Sequence, residues 1–322
     1  MSDVLEGTAG AAAAGAAAAG AGADAAAVAA AAAAAPGFED FWALRAASAR
    51  MCAPSALVSV GTASPAARYH ELVVAPPGGR ELRARYVRPA SDEPCGLVLC
   101  FPDFSQGVRG WHHLTRFVAL GLAAVMLDAR SLGWESLDVA AGAQDAPQGL
   151  ALAGAYTDAL RLSAAALKLP GIDLAHVRAW GEGVGGACAL CVSALLGDET
   201  WRCAVANPVP AGMCLERDAR VAAGPLAGIT RHFRQADPTR SDAEGLARAL
   251  AYVDAAGFAA LVRGSLLVGT GLLDEVSPPE GQDALVRAAG DGPSARVRQV
   301  RYPRHGHERI NEFENELVGF LA

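Results

Sequence analysis

The sequence predicts an α/β protein built on a mostly parallel, doubly wound sheet. Short runs of continuously apolar residues recur along the chain, and most are followed by a stretch of helical length. Strands that are apolar throughout are typical of a parallel sheet covered by helices on both faces. The length of 322 residues, with 52% hydrophobic and 19% charged residues, fits a globular domain with a large core.

The chain begins with a low-complexity segment. Residues 1–35 are nearly all Ala and Gly, so we expect a tail, with the folded domain covering residues 36–322. The tail has no basic start and no run of Leu, Ile or Phe. We therefore expect neither a signal peptide nor contact with a membrane, and we expect a cytoplasmic protein.

Charge and cysteine content exclude further classes. The net charge of -7 argues against a nucleic-acid partner, which would need clustered Lys and Arg. The seven cysteines are an odd number spread over a long chain, which is not the pattern of a disulfide framework. Cys188 and Cys191 form a C-x-x-C pair with apolar neighbours and no second pair, so we expect buried helix residues and no metal site. No cofactor is predicted.

The elements follow in order. An aromatic amphipathic helix is predicted near residues 38–44, and a hairpin joins strands 71–75 and 81–87 through a Pro-Pro-Gly-Gly turn. Six apolar strands follow, with helices between several of them, near residues 96–101, 123–127, 177–180, 203–206, 265–269 and 297–302. Residues 208–263 lack strand signals and predict a helical insertion, in which Ser241 and Glu244 have the spacing of a capping box.

The carboxyl ends of the parallel strands are where chemistry is expected, because ligands of such sheets bind there. The third apolar strand runs into Gly181-Glu182-Gly183-Val184-Gly185-Gly186, the frame of a strand-turn-helix nucleophile elbow. Such an elbow needs small residues two positions before and after the nucleophile. Gly181 and Gly185 meet this requirement around Gly183, so the nucleophile position carries no side chain.

Two residues further along fit the rest of a catalytic triad. Asp274 follows the fifth apolar strand and His307 follows the sixth. The order nucleophile, acid, histidine is the one used by enzymes with such an elbow. We therefore predict that Asp274 and His307 lie together beside the vacant position at Gly183.

These motifs resemble the acetyl xylan esterase and cephalosporin-C deacetylase family of carbohydrate esterases. The resemblance runs from about Gly37 to the C-terminus. It rests on Phe-Glu-Asp-Phe-Trp at 38–42, Ala-Tyr-Thr-Asp-Ala-Leu-Arg at 155–161, Leu-Asp-Glu-Val-Ser-Pro-Pro at 273–279 and Gly-His-Glu at 306–308. It implies an α/β-hydrolase fold, removal of acetyl groups from small sugar-like substrates, and ring-like oligomers.

The sequence departs from the family pattern in the catalytic machinery. The family elbow reads Gly-x-Ser-Gln-Gly-Gly, whereas Gly183 and Val184 stand at the serine and glutamine positions. The family's His-Gly-Tyr oxyanion loop corresponds to Pro102-Asp103-Phe104, so the resemblance places Phe104 and Val184 at the oxyanion site. Asp103 would bring a negative charge where negative charge must develop. Loss of the nucleophile alone costs a serine hydrolase on the order of 10⁴ to 10⁶ in rate.

Several interpretations follow from this pattern. The first is a catalytically impaired relative that binds a small acetylated sugar-like ligand or serves as a structural subunit, either as a homo-oligomer or beside a paralogue. The second is a weak ester hydrolase in which Asp274 and His307 activate a water molecule. Ser105 is a less favoured substitute nucleophile. Glu182 is disfavoured, because centring the elbow on it would put Trp180 and Val184 at the small positions.

Overall fold

A computed structural model describes residues 35–61, 64–104, 106–212 and 224–322. Its centre is a nine-stranded sheet in the order β1-β2-β3-β5-β4-β6-β7-β8-β9. The strands are β1 (Ala56–Val60), β2 (Ala67–Val74), β3 (Leu82–Pro89), β4 (Cys95–Phe101), β5 (Leu122–Leu127), β6 (Ile172–Glu182), β7 (Arg202–Ala206), β8 (Ser265–Gly271) and β9 (Arg296–Tyr302).

The sheet has a parallel part and an antiparallel edge. Strands β4 to β9 pair in parallel, and β3 joins them antiparallel to β5. Every residue of β4 and β5 is buried, as expected for strands covered on both faces. The predicted doubly wound sheet and its N-terminal hairpin, β2 with β3, are therefore confirmed.

Helices cover both faces of this sheet. They are α1 (Phe38–Arg50), α2 (Trp111–Val118), α3 (Ala151–Ala166), α4 (Val184–Leu196), α5 (Ala227–Gln235), α6 (Ala243–Ala251), α7 (Ala255–Ala259), α8 (Pro279–Asp291) and α9 (Asn311–Leu321). Buried residues of α1, α3 and α4 belong to one apolar cluster, and those of α2 and α9 belong to a second one. The two clusters are the layers of core on either side of the sheet.

The N-terminal helix is anchored by aromatic packing. Trp42 of α1 is fully buried, and its indole Nε1 donates a hydrogen bond to the backbone oxygen of Tyr252 at 2.9 Å. Its ring lies 5.0 Å from that of Phe258 and 5.9 Å from that of Tyr156, between ring centroids. The predicted aromatic helix thus joins α3 to the helical insertion formed by α5, α6 and α7.

Some local predictions were wrong. Strand β1 was missed because its residues are exposed or half-buried and show no apolar alternation. The capping box does not form. Helix α6 begins at Ala243 without a side-chain cap, and the Ser241 hydroxyl bonds to Asp237 at 2.9 Å instead. The predicted tail lies largely outside the described residues, and so does Ser105.

The remaining structural expectations concern cysteines, metals and membranes. Cys188 and Cys191 are both buried in α4, and burial raises the pKa of each thiol well above its usual value. Within the described ranges, no group of His, Cys, Asp and Glu side chains is arranged to hold a metal ion. No helix in those ranges combines the length and the apolar character needed to cross a membrane.

Candidate active site

The elbow lies between the end of β6 and the start of α4. Gly183 links the two elements with φ +54° and ψ −124°, a backbone conformation that side chains rarely adopt. A Cβ on Gly181 would collide with the backbone of Gly185, and a Cβ on Gly185 would collide with the carbonyl oxygens of Phe101 and Pro102. The turn therefore needs small residues at both positions, which fixes Gly183 as its centre.

Asp274 and His307 lie together, as the sequence predicted. The Asp274 carboxylate oxygen Oδ2 is 2.8 Å from Nδ1 of His307. Its other oxygen, Oδ1, accepts backbone N–H bonds from Val276 at 2.8 Å and Ser277 at 2.7 Å. The Asp274 side chain is completely buried. These bonds hold one carboxylate oxygen against the imidazole and so fix the orientation of the ring.

A second carboxylate reaches the imidazole from the opposite side. Asp103 follows β4, and its Oδ2 atom lies 3.1 Å from Nε2 of His307. Its Oδ1 atom accepts the N–H groups of Phe104 at 2.7 Å and Val184 at 3.0 Å. Phe104 and Val184 are the residues that the sequence predicts for the oxyanion site, and their N–H groups are both bound to the Asp103 carboxylate.

Asp103 also fills the space above the vacant elbow position. A Cβ built on Gly183 would overlap the Oδ1 and Cγ atoms of Asp103, and it would lie 2.8 Å from Oδ2. Gly183 and Asp103 are therefore complementary: the missing side chain leaves the volume into which the carboxylate fits. The sequence pointed to the negative charge of Asp103, but not to this fit.

His307 is held between two carboxylates. Burial by itself would lower the pKa of His307, but the hydrogen bonds and charges of Asp103 and Asp274 outweigh burial and raise this pKa to about 9. At neutral pH the imidazole is therefore protonated and forms an ion pair on each side. A protonated imidazole donates from both nitrogens and cannot accept a proton.

Charged side chains close the remaining side of the site. Glu182 forms an ion pair with Arg109, and the Arg109 guanidinium also donates to the side chain of Gln106 at 2.8 Å. Burial raises the pKa of Glu182, although the nearby Arg109 and Arg309 oppose this effect. Glu182 lines the cavity beside Gly183, and its carboxylate is held there by the ion pair with Arg109.

The cavity at the site is very small. Its volume is about 20 Å³, and its lining includes Asp103, Gly183 and His307. A cavity of this size has room for about one water molecule, which needs roughly 10–15 Å³. An acetylated sugar is far larger than this space.

Asn207 belongs to the site, although sequence reasoning missed it. It follows β7 with φ +45°, and its side-chain oxygen accepts the N–H of Gly271 at 2.8 Å. Its amide nitrogen donates to the backbone oxygen of Gly306 at 3.1 Å. Asn207 therefore joins the two loops that carry Asp274 and His307. Its place at the end of a parallel strand was the available signal.

Three other histidines do not line this cavity. His112 is exposed, whereas His113 is half-buried on helix α2, and burial with nearby arginines lowers the pKa of His113 to about 3. His305 packs its ring against Tyr302 at 5.8 Å and is not part of the cavity lining.

Comparison with known proteins points to one family. The family model described as acetyl xylan esterase matches residues 28–322. No curated protein matches the chain. Among solved structures, acetyl xylan esterase 1 from a Thermoanaerobacterium species has a TM-score of 0.77 at 23% identity, covering 88% of this chain and 92% of that one.

Two further structures show the same fold. The acetyl xylan esterase from a Paenibacillus species has a TM-score of 0.77 at 20% identity, covering 88% of this chain and 93% of that one. Est1E from Butyrivibrio proteoclasticus has a TM-score of 0.52 at 16% identity, covering 82% and 96%. The α/β-hydrolase fold is thus confirmed over nearly the whole described chain.

Proposed function

The chain belongs to the acetyl xylan esterase family, and we propose that it is a member that has lost serine-based deacetylation and acts as a ligand-binding or structural subunit. One observation carries this proposal. The Asp103 carboxylate occupies the space of the missing nucleophile and at the same time accepts the two N–H groups of the oxyanion site.

Deacetylation through an acyl-enzyme needs three groups, and each one is compromised. The nucleophile is absent, because glycine has no side chain at position 183. The N–H groups of Phe104 and Val184 already bind a full negative charge, so they offer nothing to an acyl oxyanion. The base is blocked as well, because His307 with a pKa of about 9 carries a proton at neutral pH.

A second candidate function is weak ester hydrolysis by activated water. The cavity of about 20 Å³ beside Gly183 and His307 has room for one water molecule, which favours this function. His307 could act as a base only when neutral, which its pKa places above about pH 9. The adjacent Asp103 carboxylate would also repel the hydroxide formed.

The pH dependence of hydrolysis separates the two candidates. The purified chain would be assayed with a chromogenic acetyl ester from pH 6 to 10, alongside His307→Ala. A matched control is His305→Ala, which removes a nearby histidine that does not line the cavity. We expect no turnover above buffer at any pH from 6 to 10. Turnover at pH 9 to 10, or at pH 7, that is abolished by His307→Ala but kept by His305→Ala would contradict the proposal and favour hydrolysis by activated water.

A structural role predicts that the chain associates with another chain, and a binding role predicts that it binds an acetylated sugar. Strand β1 lies at the edge of the sheet, with Leu57 and Val58 exposed at 40% and 52%. A strand edge with exposed apolar residues favours pairing with another chain. Light scattering of the purified protein would measure this association, and a monomer at micromolar concentration would remove the support for a homo-oligomeric role. A thermal shift with acetylated sugars would test ligand binding.

A further inference from the structure

A much larger cavity lies away from the candidate active site. It is a groove of about 570 Å³ between helices α1 and α3 and the turn of the β2–β3 hairpin, and it shares no lining residue with the smaller cavity. Each of the three elements contributes one arginine, namely Arg45, Arg80 and Arg161. We call it the arginine groove. Its volume lies in the range of small-molecule sites, which is about 300–1,000 Å³.

Two guanidinium groups of the arginine groove are held by contacts of their own. Arg80 donates from Nε to the Asp158 carboxylate at 2.7 Å and from Nη1 to the Leu132 carbonyl at 3.1 Å. The Arg45 guanidinium stacks over the Phe41 ring, 3.4 Å from its centroid. Because the groups are held before any ligand arrives, binding would cost little side-chain entropy.

Arg161 is positioned by a close approach to the hairpin turn. A Cβ on Gly79 would lie 2.6 Å from its Nη1 atom, so the glycine leaves room for the guanidinium in its present position. The same Nη1 atom lies 3.6 Å from the Asp158 carboxylate. Arg161 is 20% exposed in its side chain, so part of it faces the groove.

Charge is unbalanced in the arginine groove. Its lining contains three arginines and one acidic residue, Asp158, whose side chain is only 6% exposed. The groove therefore carries about two excess positive charges, in a chain whose net charge is -7. Burial lowers the pKa of Arg45, and the neighbouring charge of Arg161 lowers it further. A bound anion would relieve this repulsion.

We propose that the arginine groove binds the phosphate group of a small phosphorylated molecule. Guanidinium groups pair with phosphate oxygens through two parallel hydrogen bonds, and a phosphate dianion matches the excess charge. The side chains of Ser48 and Gln148 also line the groove and offer polar contacts to the rest of the molecule. This inference goes beyond the proposed function and does not depend on the candidate active site.

Calorimetric titration of the full chain tests the proposal with three probes. Glucose 6-phosphate carries the phosphate, glucose lacks it, and citrate offers carboxylates of similar charge. We expect glucose 6-phosphate to bind, glucose not to bind, and citrate to bind at least tenfold more weakly. Failure of glucose 6-phosphate to bind, or equal binding of glucose or citrate, would overturn the assignment.

Variants locate the binding site. Arg45→Gln and Arg161→Gln, alone and combined, leave the Arg80–Asp158 pair intact, and the combined variant should lower the affinity at least tenfold. Arg68→Gln is the matched control, because it removes an arginine that is paired with Asp92 and lies outside the groove lining. Equal loss in the control would overturn the proposal. Unchanged circular dichroism would show that each variant is folded. None of these results depends on ester hydrolysis.

Discussion

Restoring the serine should require two substitutions, not one. In Gly183→Ser, the new Cβ would overlap the Oδ1 and Cγ atoms of Asp103 and lie 2.8 Å from Oδ2, whereas non-bonded carbon and oxygen atoms need about 3.3–3.6 Å. The carboxylate must therefore leave its place and give up its bonds from the Phe104 and Val184 N–H groups. Each such bond to a charged group contributes about 1.5–3 kcal/mol.

Backbone strain adds to this cost. Position 183 has φ +54°, where a side chain is strained by about 1–3 kcal/mol. We expect Gly183→Ser alone to lower the free energy of unfolding by about 3 kcal/mol or more. In Gly183→Ser combined with Asp103→Gly, the overlap is removed, but the backbone strain remains and the Phe104 and Val184 N–H groups have still lost the carboxylate.

Ester hydrolysis should also require both substitutions. With Asp103 removed, the two N–H groups are free for an acyl oxyanion, and each oxyanion donor is worth about 10² to 10³ in rate. His307 also loses one of the two carboxylates that raise its pKa, so the imidazole can act as a base nearer neutral pH. We expect the double variant to hydrolyse a chromogenic acetyl ester at least about 100-fold faster than either single variant.

The control for this experiment is Gly183→Ala combined with Asp103→Gly, which has the Cβ but no hydroxyl. It should be inactive, and so should the double serine variant carrying His307→Ala. Hydrolysis by Gly183→Ser alone that equals that of the double variant would refute the reasoning. It would show that the Asp103 carboxylate does not block the site.

Three further predictions concern stability. Because the pKa of His307 is raised from 6.5 to about 9, its ion pairs stabilise the fold fully below about pH 6.5. Roughly 3 kcal/mol of the free energy of unfolding should be lost as the pH rises through 9. Urea unfolding over the same pH range should show a smaller loss in Asp103→Asn, because one of the two ion pairs of His307 is absent. Glu182→Gln should cost about 1–3 kcal/mol, because the half-buried Arg109 loses a charged partner whose ionisation burial already disfavours, and Arg109→Gln in the same chain should recover part of this in denaturant unfolding. Trp42→Phe should cost about 1 kcal/mol or more through the lost hydrogen bond to Tyr252, measured against Trp111→Phe, whose residue is only half-buried.

Much of the fold could be predicted from the sequence because buried strands require apolar residues, which form a recognisable pattern. Strands β4 and β5 are buried on both faces and read as unbroken apolar runs. The glycines around position 183 reflect backbone contacts that exclude a Cβ, so their spacing located the elbow. Strand β1 shows no such pattern, because four of its five residues are exposed at the edge of the sheet.

The residues of the candidate site could be predicted from the sequence, but the contacts made by Asp103 and Glu182 could not. Asp274 and His307 follow strand ends, and parallel strands bring such residues to one edge. The direction of the Asp103 side chain depends on its rotamer and on the N–H groups of the adjacent Phe104 and of Val184, which lies 81 positions further along the chain than Asp103. The pairing of Glu182 with Arg109 likewise joins distant loops. Neither contact has a local pattern in the sequence.

The fit between Gly183 and Asp103 has an evolutionary consequence. The two residues lie on different loops, so serine catalysis at position 183 would need two independent changes. A serine at position 183 meets the carboxylate, and a glycine at position 103 leaves His307 and two backbone N–H groups without their partner. Each intermediate would be less stable than the present chain. Once this pair of residues is established, selection for a stable fold alone would retain it, because changing either residue by itself lowers the stability.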